Sequence, residues 1–135
     1  MSRFIVREFL GGILIPLREV VAKLPINFLF VAFRDVEFSS GFIFGLPVPE
    51  FERLSHDLNG GFVISSRDFD RFLEIDIQMI DGTIEFIGLD GIVMLKLECI
   101  DSSQWEITTG LNEIATILER NGLKRTSDDY TPQGG

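Results

Sequence analysis

The sequence predicts a single α+β domain: a mainly antiparallel sheet, ending in a four-strand meander over residues 74–108, with its helices packed largely on one face. Three observations predict it. From Glu74 to Glu98, apolar and polar residues alternate with a period of two, as in strands buried on one side. Asp81-Gly82 and Asp90-Gly91 punctuate that run, and both are dipeptides suited to two-residue hairpins, where both turn residues need positive φ. Elsewhere the apolar spacing is helical, at Leu17, Val20, Val21 and Leu24 and again at Leu111, Ile114, Ala115 and Leu118.

Along the chain, residues 3–10 read as a first strand, punctuated by Gly11-Gly12. A helix follows over 13–24, with Pro16 in its first turn and Pro25 ending it. Residues 27–33 and 36–44 are aromatic and β-branched and read as two strands. Pro49 opens a helix over 49–58 that stops at Asn59-Gly60-Gly61. A short strand at 62–65 leads into a helix over 66–73, where Ser65 and Asp68 have the spacing of an N-cap. The last helix spans 109–121, with Thr109 as its cap and Gly122 at C′. The domain is expected to cover 1–124, and the polar residues 125–135 to form a flexible tail.

Inside the meander, register follows by counting from the turns. If both Asp-Gly pairs are two-residue turns, residue 78 faces 85, 76 faces 87, 87 faces 94 and 85 faces 96. A three-residue loop at 101–103 then sets Cys99 against Trp105, Leu97 against Ile107 and Glu98 against Glu106. One face gathers Ile75, Ile77, Met79, Ile84, Phe86, Val93, Leu95, Leu97 and Cys99, the expected core. The other holds an acidic part with Glu85, Glu98 and Glu106, and an apolar part with Ile87, Leu89, Ile92 and Met94 flanked by Glu74 and Asp76.

Charge narrows the function classes. The chain has 135 residues and a net charge of −9. Residues 72–119 hold ten acids and one base, so that window alone accounts for the excess. Nucleic acid and anionic membranes, which need clustered Lys and Arg, are therefore not the expected partners. The apolar run from Phe9 to Leu17 is too short to cross a bilayer, and no small-residue cleavage site follows it, so neither a membrane span nor a signal peptide is expected. The single Cys99 rules out an intrachain disulfide and suits a cytoplasmic protein.

No catalytic, cofactor or metal motif is present in the sequence, and no catalytic or metal-binding residues are predicted. His56 has no second histidine to work with and reads as a surface or cap residue. Cys99 alternates onto the core face and reads as a small buried hydrophobe. Clustered carboxylates at Glu85, Glu98 and Glu106 are the one handle for an enzyme or a metal-binding protein. The favoured expectation is non-enzymatic binding of a basic protein through Glu74, Asp76, Glu85, Ile87, Leu89, Ile92, Met94, Glu98 and Glu106, most concretely as an immunity-type protein neutralising a basic toxin. A self-associating homo-oligomer using Ile87, Leu89, Ile92 and Met94 is the alternative from another class.

Overall fold

The computed structural model describes residues 1–24 and 26–126. The chain opens with β1 (Ser2–Val6), a small hairpin of β2 (Phe9–Leu10) and β3 (Ile13–Leu14), and α1 (Leu17–Val21). It continues with β4 (Phe30–Phe38), the short pair β5 (Phe42–Ile43) and β6 (Leu46–Pro47), and α2 (Val48–Asp57). Then come β7 (Phe62–Ser65), α3 (Ser66–Phe72), β8 (Met79–Ile87), β9 (Val93–Ile100), β10 (Gln104–Thr109) and α4 (Asn112–Arg120). Six strands form one sheet in the order β1-β10-β9-β8-β4-β7, every neighbouring pair antiparallel. The α+β class is as predicted.

The core lies on one face of this sheet. Phe4, Trp105, Ile107, Leu95, Leu97, Ile84, Phe86, Val31 and Phe33 point into it. The helices close that face with Leu17 and Val20, Phe51, Phe69 and Phe72, and Ile114, Ala115 and Leu118. Phenylalanines dominate the centre: Phe33 meets Phe51 and Phe72 edge-on at ring separations of 5.3 and 5.0 Å, an arrangement worth about 0.5–1.5 kcal/mol per pair beyond area burial. Cys99 is buried, as its alternation predicts, and burial pushes its thiol up to about 11.

The meander departs from expectation at its first turn. Asp81-Gly82 is not a hairpin; β8 runs straight through it, and residues 74–78 are not a strand. The meander therefore has three strands rather than four. The cause lies in β4, whose register against β8 shifts between Arg34 and Glu37. That bulge presses Asp35 and Val36 against Gly82, where a Cβ would lie 2.5 Å from Val36 Cα. Gly82 is needed for close approach, and its φ of 123° suits a distorted strand.

Asp90-Gly91 does lie in a turn, though in a three-residue one. Gly91 N–H donates to Gly88 O and Gly88 N–H to Ile92 O, so the loop is Leu89-Asp90-Gly91 with Gly91 in the left-handed region at φ 80°. A register shift between Phe86 and Ile87 absorbs the extra residue. Glu85 consequently faces Lys96, as counted from the sequence, while Ile87 faces Val93 instead of Met94. The third turn gives the counted register throughout: Trp105 faces Cys99, Glu106 faces Glu98 and Ile107 faces Leu97.

Several element boundaries also need correction. Gly11-Gly12 turns the β2–β3 hairpin, so the helix expected over 13–24 shrinks to Leu17–Val21. The two strands expected at 27–33 and 36–44 are one bulged strand followed by the β5–β6 pair. Ser65 caps α3 as predicted, accepting from Asp68 N–H at 3.1 Å. Thr109 does not cap the last helix; its hydroxyl accepts from Leu111 N–H and donates to Met94 O, and α4 starts at Asn112. Of the expected tail, Arg125 forms an antiparallel bridge with Phe4 and Thr126 N–H donates to Arg3 O at 2.7 Å, while residues 127–135 lie outside the described residues.

Candidate functional site on the open face of the sheet

Because the helices share one face, the other face of the sheet is uncovered among the described residues. Its residues can be read off the strand pairing. One row crosses all six strands: Arg3, Thr108, Lys96, Glu85, Ala32 and Val63. The next row holds Ile5, Glu106, Glu98, Thr83 and Arg34. Glu85, Glu98 and Glu106 therefore do share a face, as expected from the sequence.

That face is not acidic as a whole. β1 and β4, the strands that flank the meander on either side, bring Arg3 and Arg34 to it, so in these two rows three bases (Arg3, Arg34, Lys96) stand among three acids (Glu85, Glu98, Glu106), while beyond them the exposed Glu37 and Asp81 face each other across β4 and β8. Glu85 is only 6% exposed and is held between Arg34 Nε at 2.5 Å and Lys96 Nζ at 3.8 Å. Glu106 takes Gln104 Nε2 at 2.9 Å and lies 3.8 Å from Arg3. Glu98, opposite Glu106, is exposed and has no ion pair among the described residues. Like charges placed opposite each other on a sheet are unfavourable by a few tenths of a kcal/mol up to about 1, and Arg3 on the next strand offsets part of that.

The ten acids of residues 72–119 also fail to make a single surface. Glu113 and Glu119 lie on α4, Asp90 and Asp101 in turns, and Glu74 and Asp76 in the loop after α3. Glu74 and Asp76 were expected to flank Ile87 and Leu89. They instead precede β8, while the apolar residues lie at its far end, about 26 Å away along a nine-residue strand. The expectation failed with the Asp81-Gly82 turn on which it rested.

The apolar part is uncovered. Leu89 is 88% and Ile92 55% exposed, and Ile87 and Met94 are half-buried. Neighbours from other segments enlarge it. Leu29 N–H donates to Ile87 O, Phe30 pairs with Ile87, and Leu111 joins Met94 and Leu89 around a shallow depression of ≈ 460 Å³ that also takes in Asn27 and Gly88. Leu29, Phe30, Val93 and Leu111 are all exposed large apolar residues that sequence reading did not assign to the site. The alternation of Phe30, Ala32 and Arg34 held a signal that these side chains share a face. The adjacency of β4 to β8, which places that face beside Leu89, had no local signal.

Other chemistry is sparse. Among the described residues, no group of three or more His, Cys, Asp or Glu is arranged to hold a metal ion. His56 lies exposed near the end of α2, with Nδ1 2.6 Å from Asp35 Oδ1, and this hydrogen bond and the carboxylate's charge raise its pKa above the usual 6.5. No described helix is long and apolar enough to cross a membrane. No protein-family model, curated protein or solved structure matches the chain.

Proposed function

We propose that this chain is a non-enzymatic protein-binding domain whose interface is the open face of the sheet together with its apolar end. The observation that supports this reading is the exposure of Leu29, Phe30, Leu89, Ile92, Val93 and Leu111 around the β8–β9 turn end of the sheet, where Phe30 shares the open face with Ala32 and Arg34. Contiguous apolar surface of this kind is uncommon on a monomer without a binding role. Hydroxyl-radical footprinting tests it. Phe30, Leu89 and Ile92 should be protected in lysate of the source cells relative to dilute purified protein, while Phe9 and Leu10 on the β2–β3 hairpin label equally in both. Equal labelling of all five residues would remove the reading.

The immunity-type form of this function, neutralisation of a basic toxin, draws its support from the net charge of −9 and from Glu98, which faces Glu106 without an ion pair among the described residues. A cationic partner would bind beside Arg3, Arg34 and Lys96, so its affinity would rest on Glu98 and Glu106. Reversing both to Lys should leave the fold intact and weaken such binding by at least about tenfold, with a shallower salt dependence; unchanged affinity would exclude that form.

A further inference from the structure

We infer that the occupant of the apolar end is a second copy of this chain, joined about a two-fold axis. The inference rests on the protein-binding reading above and names its partner. Two features of the site favour a copy over a different protein.

The first is charge. Two molecules of net charge −9 repel each other over most of their surfaces. That repulsion is reduced over the two rows of the open face in which Arg3, Arg34 and Lys96 balance Glu85, Glu98 and Glu106. At the apolar end the turn's own acid, Asp90, directs its carboxylate back onto Ile92 N–H at 3.1 Å. A basic protein would find no cluster of uncompensated acids here. A second copy would find a surface to which it can come close.

The second is area. Leu89 is 88% and Ile92 55% exposed, and Leu29, Phe30, Val93 and Leu111 are exposed beside them, six large apolar residues toward the ~800 Å² per partner of a standard interface. The shape is also suited to self-association. Leu89 projects from the β8–β9 turn at the rim of the ≈ 460 Å³ depression, which it lines together with Asn27, Asp90, Ile92, Met94 and Leu111. In an isologous pair each copy offers both a projecting leucine and a hollow, so the same contact forms twice.

Sedimentation velocity on the purified full chain, from about 1 to about 300 μM, tests the inference across the range where a modest homodimer dissociates. The mass should double with concentration. Raising NaCl from about 50 to about 500 mM should tighten the dimer several-fold, because salt screens the net repulsion, whereas a complex with a basic protein would weaken. Leu89→Lys should raise the dissociation constant at least about tenfold. Leu89 is 88% exposed, so the fold does not depend on it. Leu10→Lys, on the 72%-exposed tip of the β2–β3 hairpin, should leave the dimer unchanged. A wild-type chain that stays monomeric throughout, or a dimer that survives Leu89→Lys, overturns the inference. Monomer in solution with Leu89 still protected in lysate would remove the second copy and leave the protein-binding reading standing. Monomer without protection would remove both.

Discussion

The two Asp-Gly pairs of β8 and its following turn are the same dipeptide, each directly after an apolar residue in the sequence, yet one turns the chain and the other does not. At Asp90-Gly91 nothing lies within 4 Å of where a Cβ on the glycine would sit, and the glycine serves only its left-handed φ. At Asp81-Gly82 the neighbouring strand comes so close that the missing Cβ is itself the requirement, with Asp35 O at 2.8 Å and Val36 Cα at 2.5 Å from that position. A turn dipeptide proposes a hairpin, but the partner strand decides it. β4 brings nine residues and a long ladder against β8, and that outweighs a local preference of about 1 kcal/mol.

Substitution at the two glycines should break this symmetry most visibly. Gly82→Ala forces a Cβ into the backbone of the β4 bulge at a φ of 123°, and should destabilise the protein by about 4 kcal/mol in urea unfolding. If Gly82 were a simple turn glycine the loss would be far smaller, so a value below about 1.5 kcal/mol would contradict the close-approach account. The bulge has a second support in Ser55, which is buried and accepts from Val36 N–H at 3.1 Å. Ser55→Ala leaves that N–H without its acceptor and should cost about 2 kcal/mol. Gly91→Ala meets no obstacle and should cost only about 1 kcal/mol, the conformational penalty for an alanine at positive φ. Equal losses at Gly82 and Gly91 would mean that the two sites differ in appearance alone.

The same contrast explains which parts of the fold could be read in the sequence. The third turn and the core face of β10 and of β9 from Leu95 onward were legible because their partners are adjacent in sequence and alternation fixes the register once one turn is right, whereas Val93, expected in the core, is exposed. Ser65 was legible as a cap because its bond to Asp68 N–H spans three residues. The start of β8 was not, because the strand that overrides Asp81-Gly82 lies more than 40 residues earlier. The candidate site followed the same divide. Glu85, Glu98 and Glu106 were brought together by local counting, and Leu89 and Ile92 by the turn. Arg3 and Arg34, which neutralise the face, arrive through β1–β10 and β4–β8 pairings that no local pattern encodes. A surface read from one stretch of sequence looks acidic; in the completed sheet its two central rows are balanced.

The smallest effect concerns the tip of the β4 bulge and is readable through pH. Asp35 sits there at a φ of 49° and holds His56 Nδ1 at 2.6 Å. The hydrogen bond to Asp35, together with its negative charge, raises the His56 pKa in the folded protein above 6.5. The linkage is that of a cation stabilised by folding: the contribution is fully present below the unfolded value, and it fades as pH rises through the folded one. Asp35→Asn keeps a residue that tolerates positive φ and removes only the charge. Its stability should therefore fall below that of the wild type at a pH under 6.5 and converge with it as pH rises through the folded His56 pKa. The His56 ring resonances should titrate above 6.5 in the wild type and return toward that value in the variant. A pH-independent difference would mean that Asp35 holds the bulge through backbone shape alone, and that the pair with His56 is incidental to keeping β8 straight.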